Sequence, residues 1–375
     1  MIKQVYEQVL ELIEADARQL SPGERLPSEM QYARQLAVSR LTVRKAVDEL
    51  ARQGLVKRIA GKGLEVGDEA EAQTKGRLLI SMVCMAGDSD MFRTMMGCVE
   101  AANQRRYEYK LLNVTDPKDQ YGAVAREELR QYDGAVLSCF GSEAELRALR
   151  RVEAAGVPVV TVCNEVEGTA CALGDDYNGG YLAGEYLVQR GHTRILYLRT
   201  DRHAVSELRR LEGFRQALRD NGLEQPEELV LEVPDPGTPI FTGLSHQRPL
   251  PQGVERYLRG EIPHTAVTGY STLPILSYCY RLHEQGLVVP DDISVVAYGD
   301  QPYLPWQDLP LTAVMEPKRE MGLAAVELLD EFLSGGRGER PESRILPVRF
   351  VTQKSVRSLG PADQPNPRRG EQLRE

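Results

Sequence analysis

From Leu78 onward the chain repeats one phrase, a short, mostly apolar run followed by a longer stretch with apolar residues at helical spacing. "LLISMVCM" (78–85) is followed by "FRTMMGCVEAANQRR" (92–106), then "YKLLNV" (109–114). "AVAREELRQY" (123–132) leads into "GAVLSCF", and "EAELRALRRVEAAG" into "VPVVTVC". Short apolar runs too brief for helices, separated by amphipathic helices, predict a parallel sheet covered on both faces. The rhythm restarts at "GGYLAGEYLVQRG" (179–191) and continues through "RILYLR", "ELRRLEGFRQALRDNG", "ELVLEV", "TAVTGY", "LPILSYCYRLHEQG" and "ISVVAYGD". Two successive units of this kind predict an α/β body of two lobes, with a ligand cleft at the carboxyl ends of the strands. A last helix, "REMGLAAVELLDEFLSG", follows, and the segment 361–375 lacks a core and is expected to be disordered.

The first 66 residues have a different texture. Val5, Val9, Leu12, Ile13 and Ala17 share one helical face, and "SPGERLP" (21–27) interrupts it with Pro and Gly. Ser28 and Gln31 stand at capping-box spacing for a short second helix. Ser39 can cap a third helix that runs to about Gln53, where Gly54 ends it. Along that helix Val43, Ala46, Val47 and Leu50 point inward, leaving Arg40, Arg44 and Lys45 outside with Ser39 and Thr42 near the start. Such a helix fits a major groove, where an arginine can read a guanine edge with two hydrogen bonds. "LVKRI" and "LEV" flank "AGKG" as a small hairpin, and glycines at its tip permit close approach to a phosphate backbone. The pattern predicts a winged helix-turn-helix over 1–66, a polar hinge over 67–76 ("GDEAEAQTKG" from Gly67), and the two-lobed body over 77–360.

Charge follows the same division. Residues 1–66 carry 11 Lys/Arg against 9 Asp/Glu, whereas the remainder carries 35 against 46. A basic face confined to one end of an acidic protein points to a polyanion partner at that end, and here to double-stranded DNA.

The head segment resembles the GntR-type winged helix-turn-helix, through "PGERLPSE", "LAVSRLTVRKAVDEL", "QGLV" and the wing "GKG". The resemblance implies DNA contacts by Ser39, Arg40, Thr42, Arg44 and Lys45, and by Gly61, Lys62 and Gly63 at the wing tip. Met30 stands where many relatives carry Arg. The body over about 77–359 resembles the LacI/GalR-type effector domain, itself similar to periplasmic sugar-binding proteins. The carriers are "DDYNGGYLAGEYLVQRGHTRILYL", "RRLEGFRQAL", "GLVVPDDISVVAYGDQ" and "LPLTAVMEP". In that family the chain crosses between lobes three times, so the helix near 317–334 is expected to pack back on the first lobe. The pairing of such a head and body looks like that of arabinose-responsive repressors of Gram-positive bacteria. It implies a cytoplasmic homodimer that binds operator DNA, represses carbohydrate-use genes, and is released by a sugar or sugar-phosphate effector.

Carried over position by position, the effector site keeps Arg210 of "RRLEGF" and the aromatic Phe92. It departs elsewhere. Cys163 replaces the usual Asp after "PVVTV", Ser271–Thr272 replaces Asn-Asp, and in "AYGD" Gly299 stands at the first Asp while Asp300 keeps the second. Either the ligand differs, or other residues such as Asp88, Asp90, Glu165, Tyr270 and Trp306 build the pocket, or the sensor has lost its ligand. The insert 233–253 ("VPDPGTPIFTGLSHQRPLPQG") either covers the cleft or is a loose loop.

Several classes are disfavoured. No run reaches the roughly 20 apolar residues of a membrane span. The six cysteines (84, 98, 139, 163, 171, 279) and five histidines (192, 203, 246, 264, 283) show no metal or redox spacing, so no metal and no cofactor are expected. No P-loop, nucleophile elbow or paired catalytic acids stand at recognisable spacing, which speaks against an enzyme. GntR-type heads also occur on pyridoxal-phosphate aminotransferase-like bodies, the enzymatic alternative.

Overall fold

The computed structural model describes residues 2–52, 54–59, 63–67, 74–84, 89–200, 204–233, 254–299, 303–304, 308–335 and 340–360. Gly61, Lys62, Asp88, Asp300, Trp306, the tail 361–375, residues 68–73 of the hinge and residues 234–253 of the insert lie outside them. The described chain forms two compact units, Met1–Lys75 and Gly76–Glu375.

The first unit runs α1 (Ile2–Arg18), β1 (Arg25–Leu26), α2 (Glu29–Gln35), α3 (Arg40–Arg52), β2 (Val56–Ile59) and β3 (Gly63–Val66). The strands pair antiparallel in the order β1-β3-β2. The Ser28 hydroxyl accepts from the Gln31 amide while the Gln31 side chain accepts from the Ser28 amide, so both orphan donors at the start of α2 are satisfied. Ala37, at φ 52°, makes the sharp turn that sets α3 against α2. Val9, Ile13, Tyr32, Val43, Ala46, Val47 and Leu50 are fully buried and close a small core with Leu64 of the hairpin.

The second unit begins with β4 (Gly76–Val83), α4 (Ser89–Gln104), β5 (Tyr107–Val114), α5 (Pro117–Ala125), β6 (Gly134–Ser138), α6 (Glu143–Ala154), β7 (Val159–Val162) and β8 (Ala170–Gly174). It continues with α7 (Asp176–Gln189), β9 (Ile195–Thr200), α8 (Val205–Asp220), β10 (Val230–Val233), α9 (Val254–Leu258), β11 (Ala266–Gly269), α10 (Thr272–Glu284) and β12 (Ser294–Tyr298). A short hairpin, β13 (Tyr303–Leu304) and β14 (Leu309–Pro310), precedes β15 (Thr312–Met315), α11 (Lys318–Ser334), β16 (Arg344–Leu346) and β17 (Arg349–Val351). Two six-stranded sheets result, β16-β8-β7-β6-β4-β5 in the first lobe and β10-β9-β11-β12-β15-β17 in the second. All pairs are parallel except β15–β17.

Period-two alternation sorts each strand between two cores. Leu78, Ile80 and Met82 face one way, into a core with α4 and α11; Leu79 faces the other, with Ala135, Leu137 and the α5–α6 layer. Each fully buried aliphatic side chain contributes about 1.5–3 kcal/mol. The chain passes between lobes after β8, after β15 and after β16, three times as the family resemblance implies, and α11 packs on α4 of the first lobe. That packing is close because a Cβ at Gly322 would lie 2.0 Å from the Thr94 carbonyl oxygen, and one at Gly97 would lie 2.1 Å from that of Arg319.

Two features differ from the expectation. The helix before β6 is Pro117–Ala125, not a stretch over 123–132; Asp116 caps it by accepting from the Lys118 amide, and Pro117 pre-sets its first turn. Strands β8, β16 and β17 were not anticipated, since three to five residues with small or charged members give little hydrophobic signal.

Candidate functional site

The exposed face of the head is built by α3. The Ser39 hydroxyl lies 3.1 Å from the Thr42 amide, which it accepts, and 2.8 Å from the Thr42 hydroxyl, holding the first turn. Arg40, Arg44 and Lys45 are exposed on the side opposite the core. Arg40 reaches only a loose 3.9 Å contact with Glu29. Leu41 is 64 % exposed beside them, an apolar group with no place in the core. Gly63, at φ 94°, has open space around its missing Cβ where the wing begins. Arg58, counted among the basic residues from sequence, is committed elsewhere. Its Nε donates to Glu29 at 3.0 Å, it binds Asp48, and Nη2 donates to the Arg44 carbonyl at 3.3 Å. It ties the wing strand to α2 and α3.

In the second unit, Arg210 lies where the lobes join. A Cβ at Gly180 of α7 would lie 1.8 Å from the Arg210 carbonyl oxygen, and one at Gly213 of α8 would lie 1.9 Å from that of Tyr177. Only glycine lets α7 and α8 approach so nearly, and this closeness delivers Arg210 to the first crossover. Its Nε donates to Asp176 at 2.7 Å, Nη1 to the Tyr270 carbonyl at 2.5 Å, and Nη2 lies 3.1 Å from Glu316. The guanidinium carbon sits 3.8 Å above the Tyr298 ring. Asp176 follows the first crossover and Glu316 precedes α11 at the second, so one side chain holds both together. Lys318 adds a 3.1 Å contact to Glu316.

The electrostatics follow from burial. Desolvation alone would lower the Arg210 pKa, but Glu316, Tyr298 and Asp176 raise it well above its ordinary value. Desolvation raises Asp176 despite Arg210, whereas at Glu316 the same penalty is outweighed by Arg210 and Lys318, leaving it lowered. Three of the five Arg210 donors are engaged among the described residues.

Two contacts bridge the lobes across the cleft. α8 starts at Ala204, which has no side-chain cap, and the missing acceptor comes from the other lobe: Asn164 Oδ1 accepts from the Ser206 amide at 3.0 Å. Beside it Glu165 pairs with Arg209. The consecutive arginines of "RRLEGF" thus part company, Arg209 to the opposing lobe and Arg210 to the crossovers.

The other anticipated effector residues are scattered. Cys163 ends β7 at φ 80°, is buried, and its Sγ lies 3.4 Å from Met91 Sδ, so it faces a sulfur-rich core rather than presenting an acceptor. Phe92 is 53 % exposed on α4. Ser271 occupies the N-cap of α10 without a capping bond, and the neighbouring Thr272 hydroxyl donates to the Tyr298 carbonyl at 2.8 Å. Tyr270 contributes its carbonyl to Arg210. Sequence reading missed Asn164, Arg209, Asp176 and Glu316. Asp176 and Glu316 lay inside quoted motifs; Glu316 is an acid directly after an apolar strand, and Asp176 is the second of two acids between β8 and the body of α7. Among the described residues no group of His, Cys, Asp and Glu could hold a metal ion, and no helix is long and apolar enough to cross a membrane.

A winged-helix head joined to a body of two parallel-sheet lobes, linked by three crossovers, defines a DNA-binding transcriptional regulator. Residues 1–66 match the bacterial regulatory proteins of the gntR family, and residues 185–356 match the periplasmic binding protein-like domain. The arabinose metabolism transcriptional repressor of Geobacillus stearothermophilus is 26 % identical over 350 residues, 91 % of this chain and 94 % of that protein. Among solved structures, the transcription regulator CcpA of Lactococcus lactis superposes with TM-score 0.63 at 19 % identity, covering 76 % of this chain and all of that one. A LacI family regulator of Enterococcus faecium with bound ribose gives TM-score 0.60 at 21 % identity, with the same coverages. The body is therefore periplasmic-binding-protein-like, not aminotransferase-like.

Proposed function

We propose that this chain is a cytoplasmic, homodimeric repressor of carbohydrate-use genes. It binds a near-palindromic operator through α3 and the wing, and a small sugar or sugar phosphate in the cleft releases it. The observation that carries the DNA half is the exposed set Arg40, Arg44 and Lys45 at the start of a helix whose opposite face is fully buried. Ser39 and Thr42 order that start, and the family resemblance adds DNA contacts by Gly61, Lys62 and Gly63. Arg210, with the Tyr270 carbonyl it binds and the neighbouring Ser271, supports the sensor half, as does the arabinose repressor among the relatives. An effector must bind the two lobe arrangements with different affinity to move the heads. The test is operator binding by fluorescence anisotropy across a panel of pentoses, hexoses and their phosphates. Arg44→Ala is expected to weaken binding at least tenfold, about the 1–3 kcal/mol of one arginine–base contact, without altering the melting temperature. Unchanged affinity in that variant refutes the docking.

A second reading is favoured by Asn164 and Glu165, which bridge the cleft to Ser206 and Arg209 using the chain's own groups. In it the body is closed without ligand and the regulator is constitutive. A panel in which no sugar raises the melting temperature, with operator binding intact, selects this reading.

A further inference from the structure

On the outer face of the first lobe, away from the cleft, α5, the 3-10 turn at Leu129–Gln131 and α6 border an open cavity of about 630 Å³. Four arginines line it, Arg130, Arg147, Arg150 and Arg151. Opposing them are two carboxylates, Glu127 and Glu128. Glu127 is already engaged, 2.8 Å from Lys110 Nζ and accepting from the Tyr132 hydroxyl at 2.7 Å. The cavity thus carries an excess of positive charge on a body that holds 46 acidic against 35 basic residues beyond position 66. The head's basic face already accounts for DNA, and an acidic body would repel a duplex.

The arginines differ in commitment. Arg147 stacks with its guanidinium carbon 4.3 Å from the Tyr121 ring centroid, and Arg151 Nη2 donates to the Ala125 carbonyl at 3.1 Å. Both are thereby held at the cavity wall. Arg130 and Arg150 are exposed and make no hydrogen bond or ion pair among the described residues. Guanidinium forks match phosphate oxygens two at a time, and a concave wall with four cations against two carboxylates favours an anion where such a group would sit. The cavity volume is that of a small-molecule site rather than a single-ion notch. Tyr121, Leu129 and Ala154 give it an apolar floor for the rest of a ligand.

We propose that this cavity between α5 and α6 is a second small-molecule site, for a metabolite bearing at least one phosphoryl group, distinct from the cleft between the lobes. The proposal does not rest on the sugar reading of the cleft.

The test is isothermal titration of the full-length protein with ADP and with inorganic pyrophosphate, adenosine serving as the uncharged control. ADP and pyrophosphate are expected to bind one per chain and adenosine not at all. Arg130→Ala and Arg150→Ala should each weaken binding about tenfold, as for loss of one charge-assisted contact, and Arg150→Glu should abolish it. Circular dichroism should be unchanged in these variants, because both side chains are exposed. Arg349→Ala, at an exposed arginine of β17 outside the cavity, should bind as the wild type does. The proposal is overturned if neither phosphate compound binds at millimolar concentration, or if binding survives in the Arg130→Ala/Arg150→Ala double variant. Loss of binding in Arg349→Ala would place the phosphate elsewhere and would equally overturn it.

Discussion

Replacing Arg210 by alanine takes away the guanidinium that Asp176 and Glu316 both bind. The two carboxylate side chains are only 6 % and 5 % exposed, so water cannot take over the lost contacts. Glu316 keeps Lys318 at 3.1 Å; Asp176 loses its hydrogen-bonded partner, and the Tyr298 ring loses its cation. Breaking a buried pair from one side costs about 3–5 kcal/mol, which for a body of this size lowers the melting temperature by about 10 °C. The assay is thermal unfolding of Arg210→Ala at pH 7.5, with Asp176→Asn added in a second variant. The neutral amide removes the stranded charge, so the double variant should regain at least half of the loss, and the cycle measures the coupling. The pH dependence has a definite sign. Without Arg210, burial raises the Asp176 carboxyl above its unfolded value, so the folded state takes up the proton first and Arg210→Ala gains stability as pH falls toward 5. In the wild type burial already raises Asp176 but Arg210 opposes it, and Glu316 is held low by its cations, so the wild type gains less as pH falls. A melting temperature within about 2 °C of wild type, or no recovery with Asp176→Asn, refutes the argument that Arg210 clamps the crossovers.

Other perturbations test other parts. Asn164→Ala removes the acceptor that the opposite lobe lends to α8 and should cost about 1 kcal/mol, with a wider solution envelope by small-angle scattering; an unchanged envelope means the bridge does not hold the lobes. His192 and His264 are buried and pushed down to about 4, chiefly by desolvation. Their folded pKa is depressed below the unfolded 6.5, so stability falls as pH drops from 6.5 toward 4, by about 2 kcal/mol per histidine at pH 5. Denaturant titrations at pH 7.5 and 5 check this, and His264→Gln should flatten the dependence. Tyr298→Phe deletes a buried hydroxyl that has no hydrogen-bond partner among the described residues while keeping the ring under Arg210, and should leave the melting temperature unchanged or raised. A fall of several degrees would mean that the hydroxyl is satisfied.

The fold was legible where pattern and period are strong. The run Leu78–Val83 has no charge and could only be a covered strand, and the inward set Val43, Ala46, Val47 and Leu50 is fully buried. Strands β8, β16 and β17 were not legible, because their place depends on partners far away in sequence: Ile345 pairs with Leu173, and Phe350 with Val314. The site was legible at Arg210 as a position but not as an environment. Its partners Asp176, Tyr270 and Glu316 come from three crossover or strand ends that only the folded sheets bring together. Cys163 was noted as a departure from an acidic position, and its turn toward Met91 shows that the core, not the cleft, claims that side chain.

The interleaved path of the second unit has a consequence for biosynthesis. The first lobe's sheet is completed by Arg344–Leu346 and its helical cover by Lys318–Ser334; the second lobe's edge is Arg349–Val351. Neither half can close until nearly the whole polypeptide has left the ribosome, whereas the head can fold from its own first residues as soon as they emerge. A nascent regulator therefore passes through an interval in which its DNA-reading end is finished and the part that would govern it is still an open, apolar scaffold, vulnerable to proteases and to its neighbours on the polysome.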